Sequence, residues 1–220
     1  MATTPLYIFD IDGTLTDSIP TYLRVITQVL KEIGLEDIDT DYDNYLHHTD
    51  LYALEYNYER NYGKSAPPNL KYEVDELFEQ GLLKESPVTQ IPGARETLLR
   101  LQKEKIPFAY GTGAFPKATA VKMEQTQMPF IKEVLATSLH SVTRVGFVKQ
   151  AIEKARTYYK QDAFSKIIAV GDGVWDLKAA QELNIDFIGV GLKNKQAMLD
   201  LGCEVWIEDL RHFPIQPSIF

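Results

Sequence analysis

Along much of the chain, short unbroken apolar runs alternate with longer stretches in which apolar residues recur every three or four positions. Leu6-Tyr7-Ile8-Phe9 is one such run, and it stops at Asp10. A run this short, with no polar interruption and turn residues behind it, predicts a strand buried on both faces. Residues 107–110, 134–136, 167–170, 187–190 and 205–207 read the same way. Between them, helical spacing predicts helices over 94–104, 117–127, 148–159, 177–183 and 196–201. Nearer the start, Tyr22, Val25, Ile26, Val29, Leu30 and Ile33 form one stripe of a helix over 19–33, and Gly34 is placed to end it. Strands alternating with helices predict an α/β protein, a Rossmann-like parallel sheet covered on both faces.

Residues 35–85 interrupt that alternation. They are rich in Tyr, Asp, Glu and Asn and contain no convincing strand. Helical patterns over 50–62 and 72–83 are separated by Gly63 and Pro67-Pro68. The segment reads as a small helical domain inserted after the first strand. Pro87 and Pro92-Gly93 mark the return to the alternating pattern. The expected division is therefore a core of residues 1–16 and 89–220 with an insertion of residues 17–88. No internal repeat or low-complexity stretch complicates it.

Composition narrows the classes. A chain of 220 residues with 45% apolar and 25% charged side chains is that of an ordinary globular protein, long enough to bury a core without disulfides. Its single cysteine, Cys203, has no internal partner and reads as an apolar filler. The net charge is −8 and no block of basic residues is present, which argues against nucleic acid as the main partner. No apolar run approaches the roughly 20 residues that span a bilayer. The first residues lack the basic start and apolar stretch of a signal peptide. A cytoplasmic protein without a membrane partner, monomeric or homodimeric, is the expectation.

The candidate chemistry lies where strands end. The first strand runs into Asp10-Ile11-Asp12-Gly13-Thr14, the second into Thr112-Gly113, and the fourth into Gly171-Asp172, with Asp176 four residues on. In open parallel sheets the ligand crevice lies beyond the carboxyl ends of the strands, so these residues can converge. Of Asp10 and Asp12, one carboxylate can attack phosphorus and the other move protons. Attack on a phosphate dianion requires a cation to screen the repulsion, and Mg²⁺ with its hard oxygen ligands suits the task. Asp172 offers another carboxylate, and Asp176 can bind a metal-bound water or orient Asp172. Thr112 brings a hydroxyl, and Gly113 lets the backbone approach phosphate oxygens. Each motif alone is commonplace: Asp-x-Asp-Gly is often a plain turn, and Asp172 before a helix can be an N-cap. Their order along one β/α chain is what carries the reading.

That order resembles the haloacid dehalogenase-like hydrolase superfamily, in particular its phosphatases with a helical cap, of the phosphoglycolate phosphatase and beta-phosphoglucomutase kind. The stretch from Asp10 to Ser18 matches the family's first motif almost residue for residue. Gly171-Asp172-Gly173-Val174-Trp175-Asp176 matches its acidic motif, and Thr112-Gly113 its Ser/Thr motif. The resemblance implies that Asp10 is the nucleophile and a metal ligand. It implies that Asp12 protonates the leaving group, then activates water, and offers its backbone carbonyl to Mg²⁺. Thr112 would bind the transferring phosphoryl group, with Thr14 and Gly113 as further phosphate-binding positions. Asp172 would ligate the metal and Asp176 support it. The activity implied is hydrolysis of a small phosphorylated metabolite through an aspartyl-phosphate.

One position departs from the pattern. The family uses a basic residue, usually Lys, just before the helix that precedes the acidic motif. Here that stretch holds Arg144 and Lys149. Arg144, four residues before Val148, is favoured as the phosphate-binding cation, and its guanidinium would bind more rigidly and in a forked manner. Lys149, further into the helix, is the second choice. Within the insertion, Tyr42, Tyr45, Tyr52, Tyr56 and Tyr58 are expected mostly to pack between helices. Adjacent His47 and His48 cannot face one metal from a helix. Thr16 and Ser18 open the hinge near the site, and Lys117 is either a substrate contact or solvated. Two other readings compete: a phosphomutase, and a non-catalytic phosphate-binding regulator. The latter is disfavoured because no acidic catalytic position is missing. A carbon–halogen hydrolase is disfavoured because it would not need the metal carboxylates, and a receiver-type signalling domain because it would be about half as long and lack the insertion.

Overall fold

The structure, a computed structural model, describes residues 4–215. Six strands form one parallel sheet: β1 (Leu6–Phe9), β4 (Phe108–Thr112), β5 (Leu135–Thr137), β6 (Ile167–Gly171), β7 (Asp186–Val190) and β8 (Val205–Ile207), in the spatial order β5-β4-β1-β6-β7-β8. β1 lies between β4 and β6, with Tyr7 beside Phe108 on one edge and Ile168 on the other. All four of its residues are buried, as the unbroken apolar run requires. The chain builds outward from β1 first through β4 and β5, then through β6, β7 and β8 on the opposite side. The direction of winding therefore reverses at β1, and the crevice of an open α/β sheet opens at the carboxyl end of such a strand.

Helix α4 (Ala94–Lys103) leads into β4, and α5 (Pro116–Gln125), α6 (Arg144–Tyr159), α7 (Val174–Leu183) and α8 (Lys195–Asp200) follow β4, β5, β6 and β7. The main apolar cluster joins β1, β4 and β6 to Leu98, Leu101, Phe147, Ala151 and Ala155. A smaller one joins Ala169 and Phe187 to Leu177, Ala180, Met198 and Cys203, so the lone cysteine is a buried filler. Among the described residues, no helix is long and apolar enough to cross a membrane.

Several boundaries shift by one to four residues from the sequence expectation, and two of these shifts have a clear physical reason. β4 continues through Gly111 and Thr112, because both pair with β5 at Ala136 and Thr137, and that ladder overrides the turn chemistry. α6 starts at Arg144, four residues early, because the Thr143 hydroxyl accepts the Gly146 N–H at 3.1 Å and caps the helix there.

The residues between β1 and α4 leave and re-enter the core through a two-stranded antiparallel ribbon of β2 (Thr16–Asp17) and β3 (Thr89–Gln90). Between these short strands lie α1 (Ile19–Glu32), α2 (Asp50–Tyr62) and α3 (Leu70–Lys84). α1 buries Tyr22, Val25, Ile26, Val29 and Leu30, one stripe at helical spacing. It packs with Leu54, Val74, Phe78 and Leu82 of α2 and α3, and this cluster extends to Phe115, Ala118 and Val121 at the start of α5. The inserted helices thus share their apolar core with α5, which seats them over the carboxyl ends of β1 and β4. Tyr45 is buried within the same cluster and Tyr52, Tyr56 and Tyr58 pack against it.

Candidate active site

The site begins with the turn after β1. The N–H groups of Leu15 and Thr16 both donate to the Ile11 carbonyl at 2.9 Å, and the Gly13 N–H donates to the Thr16 carbonyl at 2.8 Å. Gly13 sits at φ +87°, a left-handed conformation. A Cβ there would lie 2.4 Å from Asp172 Oδ2 and 2.8 Å from Ile19 Cδ1. The glycine is therefore demanded twice, by the turn and by the close approach of the carboxylate from β6.

Three carboxylates meet in this crevice. Asp10 closes β1, Asp172 follows β6, and Asp176 projects from the first turn of α7. They are buried and present oxygens that all lie within 4.8 Å of one another. Asp176 is fixed by the Gly173 N–H, which donates to its Oδ2 at 3.0 Å. Thr14 donates to Asp172 Oδ1 at 3.3 Å, and the Asn194 amide donates to the Asp172 backbone carbonyl at 2.9 Å. Arg144 Nη1 bridges two of the acids, at 3.0 Å from Asp10 and 2.5 Å from Asp176.

The electrostatics of the cluster favour a further cation. Burial, then the charge of Asp176, holds the Asp10 carboxyl well above the usual carboxylate range, with Arg144 opposing. Burial and Asp176 push Asp172 up to about 7. Asp176 is raised by burial, against the pull of Arg144. Three buried carboxyls share one guanidinium, so a hard divalent ion with oxygen ligands fits the donor set.

Asp12 takes no part in that triad through its side chain. Its carboxylate lines the same crevice and is held from behind: Ser18 Oγ donates to Oδ1 at 2.5 Å, and Lys122 Nζ lies 2.7 Å from Oδ1 and 2.6 Å from Oδ2. Lys122, on α5, is wholly buried. Its ammonium lies 4.0 Å from the centroid of the Tyr22 ring. The Tyr22 hydroxyl in turn donates to Asp50, whose carboxylate also accepts the Phe115 N–H at 2.7 Å. Sequence reading does not single out Lys122, Tyr22 or Asp50. The available signal is that Lys122 falls on the buried face of α5 with Ala118, Thr119 and Val121, a place where an unpaired Lys is not tolerated.

Thr112 is buried at the end of β4, accepts the Ala114 N–H at 3.1 Å, and lines the crevice together with Gly113. A Cβ at Gly113 would meet the His48 carbonyl at 2.6 Å, so this glycine serves the seating of the insertion as well as any ligand. Thr14 is wholly buried and reaches the site through Asp172 rather than by lining the crevice. Lys149 is exposed and lines no part of the crevice, so of the two candidate cations the fold brings only Arg144 to the carboxylates. Lys117 pairs with Glu76 at 3.0 Å near the surface.

The crevice encloses about 260 Å³. Asp10, Asp12 and Asp172 line it from the core. The inserted helices contribute apolar and aromatic residues, Ile19, Tyr22, Leu23, Ile26 and Tyr42, with Asp43 and Asp50 among them. One wall is formed by His48 stacked on Trp175, ring centroids 4.2 Å apart. Burial, then Arg144, lowers the His48 pKa below its ordinary value, so the ring is neutral near pH 7. His47 makes an edge-on contact with Tyr52 and lines no part of the crevice.

No curated protein matches the chain. Solved structures do. CbbY from Rhodobacter sphaeroides, in complex with phosphate, is similar over 95% of this chain and 96% of its own, with a TM-score of 0.72 and 14% identity. A beta-phosphoglucomutase-like protein from Bacteroides vulgatus aligns over 96% of this chain and 86% of its own, at TM-score 0.69 and 16% identity. A haloacid dehalogenase-type hydrolase of family IA from Entamoeba histolytica aligns over 98% and 96%, at TM-score 0.69 and 17% identity. At such identities these likenesses speak to the fold. A family model described as haloacid dehalogenase-like hydrolase matches residues 4–184, and the chain belongs to that family.

Proposed function

We propose that this hydrolase is a Mg²⁺-dependent phosphatase that removes the phosphoryl group from a small phosphomonoester through an aspartyl-phosphate on Asp10. The observation that carries the reading is the gathering of Asp10, Asp172 and Asp176 within 4.8 Å of one another, with the Asp12 carboxylate lining the same crevice.

In the first step a carboxylate oxygen of Asp10 attacks phosphorus and the bond to the ester oxygen breaks. Asp12 gives its proton to that departing oxygen. In the second step Asp12 takes a proton from water, whose oxygen attacks phosphorus. The phosphorus–Asp10 bond breaks, and inorganic phosphate and the Asp10 carboxylate are released. Thr112 Oγ1, Gly113 and Arg144 hold the phosphoryl oxygens. Asp10, Asp172 and the Asp12 backbone carbonyl, with Asp176 in support, would hold Mg²⁺, which supplies charge screening between phosphate and nucleophile.

Hydrolysis is favoured over phosphoryl transfer within a sugar. A mutase must hold a sugar bisphosphate by both ends. Among the described residues lining the crevice, the basic side chains besides neutral His48 are Arg144, already engaged by two carboxylates, and Lys193 at the mouth. The test is phosphate release from a panel of phosphorylated metabolites, with Mg²⁺ and with a chelator. Release that requires Mg²⁺ is expected. Chelator-insensitive release would remove the metal from the reading, and no release from any monoester would remove the reading itself.

A further inference from the structure

We propose that Lys122 is a positioning residue for Asp12: it sets where the proton-transferring carboxylate stands relative to the phosphoryl pocket. The inference rests on the phosphatase reading above. It starts from an otherwise costly feature, a lysine with no exposed surface. Burying an ammonium is unfavourable unless its partner geometry is good. Here the geometry is good. Both oxygens of Asp12 lie within 2.7 Å of Nζ, which fixes the plane of the carboxylate as well as its place. The face of Tyr22 closes off the ammonium and keeps water from it.

The location of Lys122 gives this contact a catalytic meaning. α5 begins at Pro116, shortly after Thr112 and Gly113, which are proposed to hold the phosphoryl group. A side chain rooted in α5 therefore ties Asp12, on the turn after β1, to the pocket at the end of β4. Ser18, the residue before α1, makes another side-chain contact to Asp12. Ser18 ties the carboxylate to the start of α1, and Lys122 ties both of its oxygens to α5. The side chain of Asp12 keeps 18% of its surface open, toward the crevice it lines, so it is anchored from behind and free in front.

Because Asp12 acts in both steps, a misplaced carboxylate should leave binding intact and slow the chemistry. With p-nitrophenyl phosphate the leaving group needs no proton, so the first step survives and the second becomes limiting. Lys122→Met is the primary variant, and Lys122→Gln, which retains a polar group and a donor, is the second should the first not fold. The assay is rapid mixing with p-nitrophenyl phosphate and Mg²⁺, followed to steady state. The expected result is an unchanged KM or a lower one, and kcat reduced roughly 10- to 100-fold, the scale of a displaced acid–base group. A burst of about one equivalent of p-nitrophenolate per chain should precede the slow phase. The burst counts intact sites. A burst that shrinks in proportion to kcat would mean that Lys122 only supports the fold, and would overturn the inference. So would either folded variant with wild-type kcat. A wild-type protein that turns over no phosphomonoester would instead sink the phosphatase reading, and this inference with it.

Discussion

Replacing Asp50 by Asn exchanges one oxygen for an NH₂ group at the seam between the inserted helices and the core. Asp50 opens α2, donates its own N–H to the Gly113 carbonyl at 2.9 Å, and is buried. Its Oδ2 accepts from both the Tyr22 hydroxyl and the Phe115 N–H. An Asn oriented with its oxygen in that place retains both hydrogen bonds, so the substitution removes charge with little change of shape. Burial, with the Tyr22 hydrogen bond and Lys122 opposing, pushes the Asp50 carboxyl up to about 7 from the ordinary 3.8. Below 3.8 the group is protonated in both states, and the stability belonging to it is fully present. Between 3.8 and about 7 the unfolded chain releases the proton first, so stability falls as pH rises. The loss is complete above the folded value. At about 1.4 kcal/mol per pH unit over that interval, the ionised carboxylate costs the native state on the order of 4 kcal/mol. Urea unfolding of wild type and Asp50→Asn, at about pH 4 and about pH 8, measures it directly. The stability of the variant relative to wild type should rise by roughly 4 kcal/mol between the two conditions. A difference independent of pH would refute the argument that Asp50 is desolvated and weakly compensated.

Other outcomes follow from the same geometry. Gly13→Ala must place a methyl 2.4 Å from Asp172 Oδ2, so phosphate release should fall about 100-fold or more, as for other ångström-scale displacements. Gly191→Ala has the same φ of +87° with nothing within 4 Å, and should cost about 1–2 kcal/mol in thermal unfolding while activity persists. Arg144→Ala leaves Asp10 and Asp176 without their shared cation. It should abolish most phosphate release and destabilise the metal-free protein by about 3–5 kcal/mol, whereas Lys149→Ala should change neither kcat nor stability by a measurable amount. The apolar and aromatic residues from the insertion and the scarcity of free cations in the crevice should favour monoesters with flat or apolar leaving groups over sugar bisphosphates, by roughly tenfold or more in kcat/KM.

Much of this architecture is legible in the sequence because its determinants are local. β1 is an apolar run cut off by an aspartate, and the stripe of α1 is countable from Tyr22 to Leu30. The acids at the ends of β1 and β6 fall together once a parallel sheet is assumed, since a right-handed α/β winding leaves few alternatives. What escapes is set by tertiary contact. The extension of β4 through Gly111 and Thr112 depends on a neighbour strand formed later in the chain. The two-residue strands β2 and β3 exist because they pair with each other across the insertion. Lys122 looks like one more helical lysine until Asp12 is placed beside it, and Asp50 looks like a helix-start acid until Tyr22 and Phe115 enclose it. Arg144 against Lys149 is decided by where α6 starts, which a single threonine cap determines.

The central claim is that Asp10 carries the phosphoryl group. An aspartyl-phosphate is an acyl phosphate, and borohydride reduces it to homoserine while leaving free carboxylates untouched. Enzyme turning over p-nitrophenyl phosphate with Mg²⁺, quenched into borohydride and digested for mass spectrometry, should yield homoserine in place of Asp10, and none when substrate is omitted. Homoserine at Asp12 or Asp172 instead, or at no residue while phosphate is released at the full rate, would contradict it.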